Sequence, residues 1–233
     1  MSSLGLMGRT AILNLYGPKA LEEIIETHLG FFGPLPYDVQ YHVCKHNSVV
    51  YEDKKNEVIP VRLKHRTETF GYLFREKRRS LNVIKGKIRE YNLGIEDIKN
   101  VKSGKDYITE NGTKIPNSEL TLPPIHSRSY AFISDTAYMP GVAELLKGVD
   151  ILYHEATFLE KDKDLAEQTF HSTVSQAARV AKDADAGKLL IGHFSTRYKA
   201  EDSFVKEATE IFPDVVAVND GDRFSLELSR EIR

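Results

Sequence analysis

Apolar residues in the first 74 positions come in short runs that are separated by polar turns or by turns with glycine and proline. These runs are rich in Val, Tyr and Phe and predict β-strands at residues 10–16, 39–43, 48–52, 58–63 and 69–74. Residues 19–29 differ, because Leu21, Ile24 and Leu29 recur at helical spacing and predict a helix. The strands from residue 39 onward follow one another closely, which indicates antiparallel meanders.

Strands and helices alternate in the last part of the chain, from Ser129 onward. Apolar runs predict strands at 130–134, 150–153, 188–191 and 215–218. Amphipathic segments predict helices at 141–147, 173–183 and 201–212. This alternation is typical of an α/β layer in which helices cover a sheet. The pair Asp220-Gly221 predicts a hairpin turn between Val218 and Phe224.

The segment between residues 75 and 124 has few apolar residues and several turn formers. Positive side chains crowd its start: Arg75, Lys77, Arg78, Arg79, Lys85, Lys87 and Arg89. We interpret it as a small, basic, partly helical appendage inserted into one larger domain that spans residues 1–233. The positive residues either form a solvated surface or dock a polyanion, because phosphate contacts supply most sequence-independent RNA affinity.

Composition narrows the class of protein. The 233 residues, 41% hydrophobic and 28% charged, are ordinary for a soluble globular protein. The formal net charge of -2 means that RNA binding would need a local basic patch. The single cysteine, Cys44, excludes an internal disulfide and an all-cysteine zinc site. We find neither an apolar run of membrane-spanning length nor a signal peptide at Met1, and we expect a cytoplasmic location without membrane association.

Residues that can bind a metal ion or move a proton follow several predicted strands: His65, Asp135, His154, Glu155, His193 and Asp220. Ligands bind beyond the carboxyl ends of strands in layered α/β folds, so we expect these side chains to meet in one crevice. Histidine together with carboxylate suits Zn²⁺ or Mn²⁺. Because His65, Asp135 and His193 each follow a predicted strand, the pattern favours a metal site made of these three residues. The alternatives are that Asp135 caps the following helix and that each histidine is structural.

Ser195 and Arg197 come directly after His193. A hydroxyl and a guanidinium two residues apart, beside a metal ligand, suit a phosphodiester oxygen. The alternative is that this stretch caps the helix predicted from residue 201.

Several stretches together resemble the ribonuclease Z family of the metallo-β-lactamase superfamily. They are Leu63–Tyr72, Ser134–Thr136, His154–Phe158, His171–Thr173 and Gly192–Tyr198, in this order. Residues 4–10 and 16–18 also look like that family, so the resemblance covers nearly the whole chain. It implies an α/β fold, the metallo-β-lactamase-type αββα sandwich, with a basic exosite arm inserted at about residues 75–124.

The resemblance also implies a two-zinc hydrolytic site. His65 and His193 would each bind one Zn²⁺ ion, and Asp135 would bridge the two. His171, oriented by Glu155, would protonate the leaving oxygen. The implied reaction is removal of the 3′ trailer from precursor tRNA by hydroxide attack after the discriminator nucleotide, which leaves a tRNA 3′-hydroxyl.

Substrate binding is implied in two places. Ser195 and Arg197 would hold the phosphate, and Arg78, Arg79 and Lys85 would bind tRNA from the exosite arm. In the family that arm typically serves the partner subunit of a homodimer, so the resemblance implies a homodimer.

The chain departs from the family pattern in two respects. The His-x-His-x-Asp-His motif, which supplies four metal ligands, is absent from residues 1–233. We therefore expect an N-terminally truncated, inactive sandwich, because three ligands are too few for two zinc ions that each take about four donors. The arm carries Asn92–Asp97 in place of a glycine- and proline-rich tip. Two alternatives stay open: another phosphodiesterase of this fold, and a non-catalytic tRNA-binding fragment.

Overall fold

A computed structural model describes residues 1–31, 33–46 and 48–229. The chain divides into two compact units, the first made of Met1–Arg75 with Ser129–Arg223 and the second of Glu76–Arg128 with the residues from Phe224 onward. The segment predicted as an insertion lies almost wholly in the second unit. Among the described residues, no helix is long and apolar enough to cross a bilayer.

The strands and helices are numbered separately in chain order. The strands are β1 (Leu13–Gly17), β2 (Val39–Val43), β3 (Tyr51–Glu52), β4 (Asn56–Leu63), β5 (Thr69–Glu76), β6 (Tyr107–Ile108), β7 (Lys114–Ile115), β8 (Ser129–Ile133), β9 (Ile151–Glu155), β10 (Lys188–Gly192) and β11 (Val215–Ala217). The helices are α1 (Ser2–Leu6), α2 (Ala20–Leu29), α3 (Lys85–Glu90), α4 (Ile95–Lys102), α5 (Asn117–Leu120), α6 (Val142–Leu145), α7 (Lys163–Thr169), α8 (Val174–Asp183) and α9 (Asp202–Thr209), with a 3₁₀ helix at Glu160–Asp162.

The main sheet of the first unit contains seven strands in the order β11-β10-β9-β8-β5-β4-β3. Strands β8 to β11 run parallel to one another, because helical crossovers such as α8 return the chain to the same end of the sheet. Strand β3 pairs antiparallel with β4, and β5 pairs antiparallel with β8. The alternation of strands and helices predicted after residue 129 is therefore confirmed.

Strand β2 does not belong to the main sheet. It pairs with β1 in a separate two-stranded sheet, in parallel register, with Leu13 opposite Val39 and Gly17 opposite Val43. Helix α2 lies between the two strands along the chain and provides the crossover that parallel pairing requires. The predicted strand at residues 39–43 is confirmed, but its place in an antiparallel meander is wrong.

The core of the first unit includes the buried side of helix α8. The helix begins with a capping box, in which the Thr173 hydroxyl and the Gln176 side chain each accept a backbone N–H from the other residue. Ala177 and Ala178 are fully buried and belong to the same apolar cluster as Leu152 of β9. These contacts hold the start of α8, and with it the residues just before the helix, in a defined place.

The second unit buries apolar side chains of its own, among them Leu93, Val101 and Leu120. Arg128 donates to Glu76 at 2.5 Å. This hydrogen bond lowers the pKa of Glu76 to about 2, because its effect is larger than that of partial burial, which raises the pKa. The second unit is therefore a folded element with an internal ion pair.

The chain turns after β11 but forms no hairpin. Asp222 N–H donates to Asn219 O at 3.1 Å, and Gly221 adopts a left-handed φ of 93°. The described residues after this turn contain no strand, so the predicted hairpin is wrong. Backbone groups there find other partners: the Leu226 carbonyl, for example, accepts a hydrogen bond from Arg128 at 2.8 Å.

Candidate metal centre and active site

Four strands of the main sheet lead into the residues that were predicted to carry chemistry. His65 follows β4, Asp135 follows β8, Glu155 ends β9 and His193 follows β10. Parallel register places Gly192 opposite Glu155, so His193 begins just beyond the end of the neighbouring strand. This is the arrangement that a crevice at the carboxyl ends of parallel strands requires.

The three residues predicted as metal ligands lie in one cluster together with His171. His193 Nε2 lies 3.5 Å from Asp135 Oδ1. The ring centroid of His171 lies 5.2 Å from that of His193 and 5.2 Å from that of His65. The structure therefore brings the predicted residues together, and their role as ligands stays a prediction.

Glu155 is fully buried at the base of this cluster. Its Oε1 accepts from Thr136 N–H at 2.9 Å and from His171 Nδ1 at 2.7 Å. Its Oε2 accepts from Thr157 N–H at 3.1 Å and lies 2.6 Å from the Thr157 hydroxyl. Burial raises the pKa of Glu155, but the hydrogen bonds from His171, Thr157 and Thr136 outweigh it and leave the pKa below its ordinary value.

These four contacts decide what Glu155 can do. Ligand atoms of Glu155, His171 and His193 lie within 4.8 Å of one another, which is close enough for a shared metal ion. The carboxylate oxygens are already committed to the protein's own donors, however, and a metal ion there would have to displace them. Glu155 is therefore suited to orient His171 and ill suited to bind metal.

The two predicted histidine ligands each use one ring nitrogen inside the protein. His65 Nδ1 lies 3.1 Å from the carbonyl oxygen of Phe170, so this nitrogen carries the hydrogen. His193 Nδ1 lies 2.8 Å from Thr157 Oγ1. In both residues Nε2 is left for another partner, which is the common arrangement in metal-ligating histidines. Phe170 and His193 both have left-handed backbones, with φ values of 62° and 63°.

The charge state of the cluster follows from its hydrogen bonds. The hydrogen bond to Glu155 raises the pKa of His171, because its effect is larger than that of burial, which lowers the pKa. Burial raises the pKa of Asp135, but the hydrogen bond from Ser134 and the nearby His193 outweigh it and leave the pKa below its ordinary value. The site thus combines a carboxylate that stays ionised with an imidazole that holds its proton to higher pH than usual.

The alternative roles for two of these positions are wrong. Helix α6 begins after Gly141 without any side-chain cap, so Asp135 does not cap it. Helix α9 begins after Glu201, also without a side-chain cap, so neither Ser195 nor its neighbours cap that helix.

Ser195 and Arg197 lie on the loop that follows His193. Arg197 Nε donates to Ser195 Oγ at 3.2 Å, and the guanidinium carbon lies 5.3 Å from the centre of the Phe158 ring. Ser195 N–H donates to Thr157 O at 3.1 Å, which ties this loop to the end of β9. The hydroxyl and the guanidinium are therefore held side by side, as phosphate binding would require.

A cleft of about 340 Å³ opens beside the histidines. Its lining includes His65, His171, Thr157, Phe158 and, at the rim, the exposed Arg66.

The sequence analysis did not identify Thr157 and Phe170 as residues that contact the predicted histidine ligands. Thr157 lies within a quoted motif, but nothing in the sequence indicated that its hydroxyl contacts His193. Arg78, Arg79 and Lys85 are exposed in the second unit, and their role stays a prediction.

Comparison with known proteins defines the class. A profile for the Beta-lactamase superfamily domain matches residues 109–194. The structure is similar to human tRNase Z, short form, with a TM-score of 0.61 and 19% identity over 97% of this chain and 71% of that chain. It is also similar to the metallo-beta-lactamase fold protein YhfI from Bacillus subtilis, with a TM-score of 0.57 and 15% identity over 94% of this chain and 65% of that chain. The chain therefore has the metallo-β-lactamase fold, and the predicted fold class is confirmed.

Closer relatives narrow the assignment. Ribonuclease Z from Bacteroides fragilis (strain YCH46) is 42% identical over 219 residues, which are 93% of this chain and 72% of that protein. Ribonuclease Z from Porphyromonas gingivalis (strain ATCC BAA-308 / W83) is 40% identical over 229 residues, which are 97% of this chain and 75% of that protein. The chain belongs to the ribonuclease Z family, as its motifs predicted.

Proposed function

We propose that this chain acts in tRNA 3′ processing, in an endoribonuclease that cuts precursor tRNA after the discriminator nucleotide and leaves a 3′-hydroxyl. The observation that carries the proposal is the cluster of His65, Asp135, His171 and His193 in a member of the ribonuclease Z family. Two imidazoles with a free Nε2 and an ionised carboxylate suit hydrolytic metal chemistry.

The proposed metal ligands are His65, Asp135 and His193. The donor set fits zinc, because each histidine uses Nδ1 within the protein and Asp135 stays ionised beside His193 Nε2. Two bound zinc ions would lower the pKa of a water molecule and neutralise charge that develops on the phosphate.

His171 is the proposed general acid, which gives a proton to the leaving oxygen. Its Nδ1 is held by Glu155 at 2.7 Å, so Nε2 is the nitrogen available to the substrate. The raised pKa of His171 supports this role, because a larger fraction of the ring carries the proton near neutral pH. Glu155 is the positioning residue for this step.

Phosphate binding is proposed for Ser195 and Arg197, whose side chains are hydrogen bonded to each other. Arg78, Arg79 and Lys85 are proposed to bind tRNA through its phosphates. Three exposed cations in a chain with a formal net charge of -2 provide the local basic surface that RNA binding needs.

We also propose a homodimer in the cytoplasm. Ile24 and Phe31 support the dimer, since they are 61% and 83% exposed near helix α2 and such apolar side chains favour a protein partner. Light scattering on the purified chain tests this, and a monomer at micromolar concentration would contradict it.

A polypeptide of residues 1–233 is proposed to be inactive or nearly so. It contributes three proposed ligands, whereas two zinc ions take about eight donors between them. The test combines metal analysis of the zinc-treated polypeptide with binding and cleavage of a 3′-extended precursor tRNA. We expect less than stoichiometric zinc, no cleavage, and tighter binding to the precursor than to an unstructured RNA of equal length.

The three readouts separate the alternatives. Cleavage at the discriminator would overturn the inactivity and support the nuclease assignment, whereas equal affinity for the two RNAs would contradict the tRNA assignment. Hydrolysis of bis(p-nitrophenyl) phosphate without preferential tRNA binding would favour another phosphodiesterase of this fold. Preferential tRNA binding by a polypeptide that holds no zinc under any condition would favour a non-catalytic tRNA-binding chain.

A further inference from the structure

Thr157 occupies a central place in the cluster. Its side chain is almost fully buried, and its Oγ1 lies between Glu155 Oε2, at 2.6 Å, and His193 Nδ1, at 2.8 Å. One hydroxyl therefore connects the buried carboxylate with a histidine that lies 36 positions further along the chain.

The direction of these two hydrogen bonds can be worked out from donors and acceptors. A hydroxyl carries a single hydrogen, and an ionised carboxylate only accepts. Glu155 faces two backbone N–H groups, of Thr136 and Thr157, which can only donate. The carboxylate is therefore the acceptor on both oxygens, and the Thr157 hydroxyl gives its hydrogen to Oε2. That hydroxyl has only lone pairs left for His193, so His193 Nδ1 must carry the hydrogen of the second bond.

We propose that Thr157 is a positioning residue that holds His193 in the tautomer with hydrogen on Nδ1 and the Nε2 lone pair free toward Asp135. Glu155 then orients two histidines at once: His171 directly through Oε1, and His193 through the Thr157 hydroxyl on Oε2. This inference deepens the proposed function, on which it rests, because Nε2 of His193 is the nitrogen offered to the metal.

Loss of the Thr157 hydroxyl would favour the other tautomer of His193, in which Nε2 carries the hydrogen. Asp135 Oδ1 lies 3.5 Å from His193 Nε2 and is then the remaining nearby acceptor. A hydrogen on Nε2 would be attracted to this carboxylate and would occupy the lone pair that a metal ion needs. Thr157 and Asp135 thus compete for the single hydrogen of the neutral ring.

The first experiment reads the tautomer directly in the metal-free polypeptide. Long-range ¹H–¹⁵N correlation spectra would be recorded at about pH 9, above the ordinary imidazole range, for the wild type, Thr157→Val and Thr157→Ser. Valine keeps the shape and removes the hydroxyl, whereas serine keeps the hydroxyl and serves as the matched control. We expect His193 to carry hydrogen on Nδ1 in the wild type and in Thr157→Ser, and on Nε2 in Thr157→Val.

His171 is the internal control for an intact site. Its partner is the other carboxylate oxygen, so it should keep hydrogen on Nδ1 in all three proteins. A wild-type His193 with hydrogen on Nε2 overturns the proposal, and that spectrum alone decides the point if Thr157→Val does not fold. An unchanged His193 tautomer in a folded Thr157→Val protein also overturns it.

The second experiment measures apparent zinc affinity by competition with a chromophoric chelator. We expect Thr157→Val to bind about 10- to 100-fold more weakly than the wild type and Thr157→Ser. Equal affinities would overturn the link between Thr157 and metal binding. A wild type that binds neither zinc nor precursor tRNA would contradict the proposed function instead, and the tautomer spectra would still decide the role of Thr157.

Discussion

Replacement of Glu155 by glutamine changes one oxygen into an amide NH₂ at the centre of the site. Whichever way the amide turns, its NH₂ faces a backbone N–H, either that of Thr136 or that of Thr157, which lie 2.9 and 3.1 Å from the carboxylate oxygens. An unsatisfied buried donor costs about 1–3 kcal/mol. The bonds that remain change from a charged to a neutral acceptor, which weakens each by about 1 kcal/mol.

The neutral glutamine is easier to bury than a carboxylate, and this offsets part of the loss. We therefore expect Glu155→Gln to lower the free energy of unfolding by about 2–5 kcal/mol. The same substitution at Glu167, which is 63% exposed and 4.0 Å from Lys163, is the matched control and should change it by less than about 1 kcal/mol.

The assay is urea unfolding followed by circular dichroism, since the chain contains no tryptophan. The depressed pKa of Glu155 contributes stability that is lost as the pH falls through its folded pKa. The raised pKa of His171 contributes stability that is lost as the pH rises through its folded pKa. The effect of Glu155→Gln should thus be largest between the ordinary values of 4.5 and 6.5. A loss below about 1 kcal/mol in that window would refute the assignment of Glu155 as the hydrogen-bonding centre of the site.

Three further predictions concern other parts of the molecule. The wild type should be more stable than Glu76→Gln, and this difference should be complete above about pH 4.5. It should vanish as the pH falls toward 2, the folded pKa of Glu76. Unfolding experiments at several pH values measure the difference. Charge reversal of Arg78, Arg79 and Lys85 should weaken binding of precursor tRNA and reduce the slope of log affinity against log salt by about 2–3, as measured by fluorescence anisotropy. Leu152→Ala should lower the free energy of unfolding by about 2–5 kcal/mol, because Leu152 is 0% exposed in the core.

Each of these has a control and a contrary outcome. Leu6→Ala removes a side chain that is 91% exposed and should change stability by less than about 0.5 kcal/mol; a similar value for Leu152→Ala would contradict its place in the core. Reversal of Lys54, Lys55 and Lys182, which are also exposed, makes the same change in net charge. An equal loss of tRNA affinity there would remove the case for the arm. A pH profile of Glu76→Gln parallel to that of the wild type would refute the ion pair.

Local patterns in the sequence were enough to predict most strands, the helices α2, α6, α8 and α9, and the positions of the site residues. His65, Asp135 and His193 each follow an apolar run, and the end of such a run is visible without knowledge of the fold. That parallel strands bring such ends together is a general property of layered α/β proteins, so the cluster itself could be predicted.

Pairing of strands was less accessible, because a short apolar run has the same appearance whichever neighbour it joins. Strand β2 pairs with β1 across helix α2, although β3 is closer to it along the chain. The turn at Gly221 formed as its sequence predicted, but a hairpin also needs a second strand, and Leu226 has a side-chain partner instead. Both errors concern contacts between distant residues, which local periodicity does not encode.

The sequence by itself determined which side chains can bind a metal ion or move a proton and which strands they follow, because side-chain alternation and strand ends are properties of neighbouring residues. Only the tertiary structure decided which hydrogen bonds these side chains make. Whether the hydroxyl of Thr157 meets His193 or solvent depends on a separation of 2.8 Å between residues that follow two different strands. Hydrogen-bond direction, tautomer and charge follow from such distances, and they arise only when the chain is folded.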